Sequence, residues 1–152
     1  MTRTVQQVRA AIVADALTWL GTRYRHLGDV KGQGVDCAML LVRLLAAQQL
    51  IPADLDPRPY STQWHLHRTE ERYLQWLQQL GVPTADPQPG DIGVWRYGRT
   101  YSHGALYIGS GQVVHALARA RMVLRQHIDE EPLAGREPLW FDLITPNLPQ
   151  VS

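Results

Sequence analysis

The sequence predicts an α+β domain in which helices pack on one face of an antiparallel sheet. Two observations carry this. Apolar residues recur at helical spacing in the first half of the chain, and short β-like runs fill the second half after Gly90. No repeat, low-complexity stretch or domain boundary interrupts the order, so residues 1–152 read as one domain. A chain of 152 residues with 45% hydrophobic composition buries roughly 68–70% of the surface its unfolded form exposes. Its core needs no disulfide or metal, and its one cysteine cannot form an internal bridge.

From Val5 to Leu20 the apolar residues Val5, Val8, Ile12, Ala16, Trp19 and Leu20 repeat every three or four positions, predicting an amphipathic helix closed by Gly21. Thr22 to Gly34 holds Gly28, Gly32 and Gly34 without periodicity and reads as a loop. Cys37 to Leu50 consists of strong helix formers, apolar nearly all round apart from Arg43 and Gln48-Gln49, which predicts a buried central helix with Asp36 as N-cap. After an irregular stretch imposed by Pro52, Pro57 and Pro59, a third helix spans Glu70 to Leu80, with Gly81 at its C′ position. Pro83 to Pro89 reads as a connector. Strands follow at Ile92 to Tyr97, Gly104 to Ile108, Val113 to His115, Met122 to Leu124 and Leu139 to Ile144.

Charge excludes one class of function. Fifteen Lys+Arg face fourteen Asp+Glu, a formal net charge of +1, whereas phosphate recognition leaves a cationic excess. No nucleic-acid partner is expected. The apolar run Ala38 to Val42 stops at Arg43, far short of the about 20 residues of a membrane span. No membrane insertion is expected. Met1 to Gln7 is not followed by an apolar signal region, so the chain is expected to be made in the cytoplasm without a signal peptide.

The chemistry centres on Cys37. A thiol works as a nucleophile in its thiolate form, and a helix N-terminus lowers its pKa. Cys37, in the first turn after Asp36, is therefore expected to titrate below a free thiol. Among six histidines, His103 and His115 flank a predicted hairpin. A three-residue Gly109-Ser110-Gly111 loop would pair Ile108 with Gln112 and Ala105 with His115. Both imidazoles then share a face, about 7–8 Å apart along the backbones; a two-residue loop would separate them. The layout is a thiol, a base and an imidazole that orients the base. Alternating His65 and His67 could form a metal pair, but they lack a cysteine partner and lie in irregular chain. No metal or cofactor is expected.

Taken in order, Ala16-Leu-Thr-Trp-Leu-Gly21-Thr-Arg-Tyr24, Gly34-Val-Asp36-Cys37, Gln88-Pro89-Gly90-Asp91-Ile92, Ser102-His103-Gly104-Ala-Leu-Tyr107-Ile-Gly109 and Val114-His115-Ala116 resemble the NlpC-type cell-wall cysteine peptidases. The resemblance covers about residues 10–116. It implies a circularly permuted papain-like fold with N-terminal helices on a five- or six-stranded antiparallel sheet. It also implies hydrolysis of peptidoglycan stem peptides, typically between D-glutamate and the following diamino acid. By position, Cys37 resembles the nucleophile, His103 the general base and His115 the group that orients it. Tyr24 matches a tyrosine near the oxyanion, and Asp36 and Ser102 match residues lining the site for the stem peptide's free amine.

Two departures stand out: Ala38-Met39 replace the usual Ser-Gly after the cysteine, and the segment between Cys37 and Pro89 is about ten residues longer than is common. With the missing signal peptide, the chain looks like the branch encoded among phage and prophage tail genes. That branch implies a place on the virion at the tail tip, tail-tip or hub proteins as partners, and action at the cell wall or periplasm. Two alternatives stay open. One is a catalytically silent structural or plug protein of the tail, with the cleft filled by Trp64 or Tyr60; the other is a papain-like amidase or acyltransferase.

Overall fold

The computed structural model describes residues 3–58, 72–98 and 100–148. Three helices precede a six-stranded antiparallel sheet, as the distribution of apolar residues predicts. Helix α1 spans Val5–Leu17; Thr4 caps it and exchanges hydrogen bonds with Gln7 in a capping box. It stops at Leu17, short of the predicted Leu20, and Gly21 takes a positive φ of 84° in the turn that follows. The glycine-rich segment predicted as loop contains a small hairpin, β1 (Asp29–Val30) with β2 (Gly34–Val35), two residues a side and too short for a period to show.

Helix α2 (Cys37–Ala47) is the core of the fold, with Cys37 to Val42, Leu44 and Leu45 all buried. It ends at Ala47 because Gln49 adopts a positive φ of 61°, so the predicted extension to Leu50 does not form. Helix α3 spans Arg72–Leu80; the predicted start at Glu70 lies outside the described residues. Gly81 follows it without a left-handed φ. Its lack of a side chain serves packing instead, since a Cβ there would sit 2.6 Å from Leu143 Cδ1.

The sheet runs in the order β3 (Val82–Thr84), β8 (Leu139–Asp142), β4 (Ile92–Tyr97), β5 (Thr100–Gly109), β6 (Gln112–Leu117), β7 (Met122–His127). Strand β3 occupies part of what the prolines predict as a connector. It sits at the sheet edge, where Pro83 removes no needed ladder donor. One face carries Ile92, Val94, Leu106, Val114 and Ala116 against the helices. The other carries a second cluster of Trp95, Ala105, Val113 and Leu133. By strand alternation His103 and His115 belong to this second face. A buried ion pair fixes α1 to the sheet. The Arg9 guanidinium reaches Asp91 Oδ1 at 2.8 Å and Asp142 Oδ2 at 3.3 Å, and donates to the Pro89 carbonyl at 3.0 Å. Among the described residues no helix is long and apolar enough to cross a membrane.

Candidate active site

Three elements bring the site together. Asp36 Oδ1 accepts from Met39 N at 2.9 Å, which starts α2 and sets Cys37 in its first turn. Asp36 Oδ2 accepts from Leu27 N at 2.8 Å and holds the preceding loop against the helix. Strand β5 supplies Ser102 and His103, and strand β6 supplies His115.

The hairpin parity arises by a route other than the predicted three-residue loop. Gly109 pairs with Gln112, leaving the two-residue turn Ser110-Gly111, both at positive φ (55° and 73°). A bulge between Tyr107 and Gly109 then inserts one extra residue. The bulge restores the parity that a two-residue turn alone would reverse. Both imidazoles therefore share a face, with His103 Nε2 and His115 Nδ1 2.7 Å apart.

The network continues to a residue the sequence did not single out. His115 Nε2 lies 2.6 Å from Gln126 Oε1, and Gln126 Nε2 donates to the Glu131 carbonyl at 2.8 Å. These bonds assign the protons. The Glu131 carbonyl only accepts, so the Gln126 amide must turn its oxygen toward His115. His115 then carries its proton on Nε2 and accepts on Nδ1. His103 in turn donates from Nε2, which leaves its lone pair on Nδ1. Gln126 was findable in principle. Leu124 pairs with His115 across β6 and β7, and Gln126, two residues on, shares that face. The sequence reading ends the strand at Leu124 and so stops before it.

Cys37, His103, Tyr24 and Ser102 line one cleft of about 340 Å³. The sulfur lies against the β5 backbone on either side of His103, donating to the Ser102 carbonyl at 3.9 Å and facing the Gly104 N–H. Asp36, 2% exposed, is not among the cleft's lining residues; its two oxygens serve the helix cap and the loop.

Burial sets the protonation states. It pushes the Cys37 thiol up to about 12, helped by the nearby Asp36 carboxylate, while the N–H groups of Gly104, Ala38 and Cys37 pull the other way. The expected lowering by the helix N-terminus is thus present but outweighed. Burial also holds His103 well below the ordinary imidazole value, and His115 adds to the effect. His115 is lowered to about 4 by burial, partly offset by its bond to Gln126. Burial, then Cys37 and Asp36, raise the Tyr24 phenol, which stays protonated as a donor beside the thiol. At neutral pH the thiol and the imidazoles are accordingly all uncharged.

The predicted His65 and His67 pair and the predicted plug residues Trp64 and Tyr60 lie outside the described residues. Among the described residues no group of three His, Cys, Asp or Glu side chains could hold a metal ion.

Comparison with known proteins follows the same lines. The profile described as the NlpC/P60 family matches residues 21–134. The chain is 26% identical over 133 residues to the murein DD-endopeptidase MepS/murein LD-carboxypeptidase of Escherichia coli (strain K12). That alignment covers 88% of this chain and spans 58% of that protein's length. Among solved structures, the peptidoglycan hydrolase RipB of Mycobacterium tuberculosis superposes with a TM-score of 0.60 at 22% identity, over 92% of this chain and 66% of that one. RipD of the same organism, described as a non-catalytic NlpC/p60 domain protein adapted to peptidoglycan binding, superposes with a TM-score of 0.57 at 18% identity, covering 91% and 99%.

Proposed function

The chain belongs to the NlpC/P60 family, and on that premise we propose that it is a cysteine peptidase that cleaves peptidoglycan stem peptides. The observation that carries the reading is the meeting in one cleft of a helix-start cysteine and His103, which is itself hydrogen-bonded to the buried His115.

In this reading the Cys37 thiol passes its proton to His103 Nδ1 as the sulfur attacks the scissile carbonyl carbon. Because both groups rest uncharged, proton transfer accompanies attack rather than preceding it. The carbonyl oxygen takes the electron pair, and the Cys37 backbone N–H and the Tyr24 hydroxyl steady it. The oxyanion collapses, the C–N bond breaks, and His103 returns the proton to the leaving amine. Water then hydrolyses the thioester with His103 again as base. His115 holds the His103 ring in the tautomer this requires. Ser102 lines the cleft, and the charge of Asp36, which does not line it, is near enough to act on both Tyr24 and Cys37 and so favours an ammonium bound beside them. Those two residues fit the stem peptide's free amine. The bond between D-glutamate and the diamino acid is the proposed point of cleavage.

The family includes a non-catalytic, peptidoglycan-binding member, so a silent structural protein is the competing reading. Digestion of purified sacculi separates them. Wild type is expected to release muropeptides and Cys37→Ala is not; equal inactivity of both on Gram-negative and Gram-positive walls would leave the silent reading. Product mass spectrometry assigns the bond and distinguishes peptidase from amidase or acyltransferase chemistry. We place the protein at a phage or prophage tail tip, beside hub proteins and acting at the cell wall, on the likeness of its long Cys37–Pro89 segment to the tail-encoded branch. Immunogold labelling of purified virions tests this: label at the tail end supports it, and unlabelled virions overturn it.

A further inference from the structure

We infer that the rim of this cleft, at Arg119 and Arg136, is a subsite for a free carboxylate on the peptide being cut. The inference rests on the peptidase reading for the identity of the peptide, but the cations stand on their own geometry.

Arg136 is held rather than waving in solvent. Its Nε donates to the Pro132 carbonyl at 2.9 Å and its Nη1 to the Arg96 carbonyl at 3.0 Å. Its guanidinium carbon lies 4.8 Å from the centre of the Tyr97 ring. That ring stacks on His103, with centroids 5.2 Å apart and planes 13° from parallel. The two contacts place the guanidinium within about 10 Å of the His103 imidazole, the reach of two or three extended residues at about 3.3–3.6 Å each. A carboxylate on Arg136 therefore belongs to a residue beside the scissile bond.

The charged side chains that line the cleft are both arginines. Arg119, exposed on the short 3-10 turn Ala118–Ala120 after β6, lines the same cleft, and no Asp or Glu does. Among the described residues neither arginine has a carboxylate partner. Burial raises the Tyr97 phenol; Arg136 and Arg119 are close enough to favour its ionisation, while Cys37 and, least of the four, Glu131 oppose it. The Tyr97 hydroxyl has no hydrogen-bond partner among the described residues. Two cations and an unpartnered donor thus converge beside the nucleophile. Guanidinium groups bind carboxylates in a planar two-point geometry, and such charge-assisted bonds are about twice as strong as neutral ones. A site built this way rejects the amide, which has neither the charge nor the second acceptor oxygen.

A stem peptide offers two sources of the group: an internal carboxylate of its glutamate residue, or its C-terminal carboxylate. Synthetic tetrapeptides with both acids free, with the internal one amidated, or with the terminal one amidated separate them. For wild type, amidation at the recognised position should raise KM by about 10- to 100-fold, the loss expected of a charged hydrogen-bonded pair, with kcat little changed. In Arg136→Gln and Arg119→Gln the free acid should bind as weakly as the amide, and Arg136→Lys should recover only part. Equal KM for all three peptides, or arginine variants that still discriminate, would overturn the subsite. Titration of the same peptides into Cys37→Ala by NMR keeps this separate from the activity. Preference for a free acid in a protein that hydrolyses nothing would sink the peptidase reading and leave the subsite standing. Equal or undetectable binding of all three would sink the subsite.

Discussion

His103 Nε2 and His115 Nδ1 sit 2.7 Å apart, and the direction of that hydrogen bond is decided 11 residues further along the chain, at Gln126. The Glu131 carbonyl orients the amide, the amide orients His115, and His115 leaves the proton of His103 on Nε2. The tautomer of His103, the proposed base, is therefore selected by a group that does not line the cleft.

Replacing Gln126 with Leu is expected to remove the acceptor without adding a charge. The buried His115 Nε2–H would lose its partner, costing about 1–3 kcal/mol of stability, and the ring would begin to populate the other tautomer. Ring 15N shifts at pH 7 should show His115 protonated on Nε2 and His103 unprotonated on Nδ1 in wild type, and a mixture in Gln126→Leu. Turnover should fall by about tenfold or more, as for about 1.4 kcal/mol of transition-state stabilisation, with KM little changed. Gln126→Glu, which keeps an acceptor, should retain the tautomer and raise the pKa of His115. Unaltered ring shifts in Gln126→Leu would refute the assignment.

A second prediction concerns the thiol itself. Cys37 is 9% exposed and burial raises its pKa to about 12, above the about 8.5 of a free cysteine. Its thiolate fraction then rises about tenfold per pH unit between pH 7 and 10. Alkylation of Cys37 by iodoacetamide is expected to follow that slope with no plateau near pH 8.5. A plateau at or below that pH would mean that a preformed thiolate–imidazolium pair outweighs burial.

Much of this arrangement was legible from local pattern. The limits of β4 follow from the composition of Ile92–Tyr97, and the start of α2 follows from the short acceptor Asp36 ahead of an apolar run. What was not legible depends on partners distant in the chain. The bulge between Tyr107 and Gly109 is set by pairing with β6, so the shared face of the two histidines came from a turn and a bulge rather than a three-residue loop. Gln126 has no local signature, because its role exists only once β7 lies beside β6. The balance between burial and the helix N-terminus at Cys37 likewise needs the whole core to be in place before either can be weighed.

Gly104 provides a third test, because on β5 it packs against α2 and α3 beside Cys37. Its N–H faces the Cys37 sulfur, and a Cβ at this position would collide with the Tyr73 hydroxyl and come within 2.8 Å of Leu41 Cδ1. Gly104→Ala is expected to cost about 1–3 kcal/mol, the usual range for overpacking a core. It should also displace β5 from α2, so turnover should drop by more than the lost stability alone explains. Thermal melting and kinetics at a temperature where the variant remains folded separate the two effects. An alanine variant with wild-type melting and turnover would show that the contact relaxes without moving the strand.

The motif Gln88-Pro89-Gly90-Asp91-Ile92 acquires a physical reason in the ion pair between Arg9 and Asp91, which leads to the last prediction. Arg9 is 7% exposed and Asp91 is 1% exposed, and burial raises the Asp91 carboxyl against the pull of the Gln88 N–H and Arg9. Asp91 also accepts from Gln88 N at 2.8 Å, so one carboxylate closes the turn into β4 and anchors α1 across it. Gly90 must stay small here: at a φ of 99° it is adverse to side chains, and a Cβ would sit 2.7 Å from Ile144 Cδ1. Removing one member of a buried pair leaves the other charge uncompensated, typically at a cost of about 3–5 kcal/mol. Arg9→Met should therefore lower the melting temperature by about 10 °C, at about 2–4 °C per kcal/mol for a chain near this size. The double variant Arg9→Met with Asp91→Asn should recover part of that loss, since the more deeply buried of the two carboxylates facing Arg9 is then neutral, and only the partly exposed Asp142 keeps its charge. Since neither residue lines the cleft, turnover of the folded fraction should stay near wild type. Additive losses in the double variant would show that the two residues stabilise the fold independently, and that the pair is not what joins α1 to the sheet.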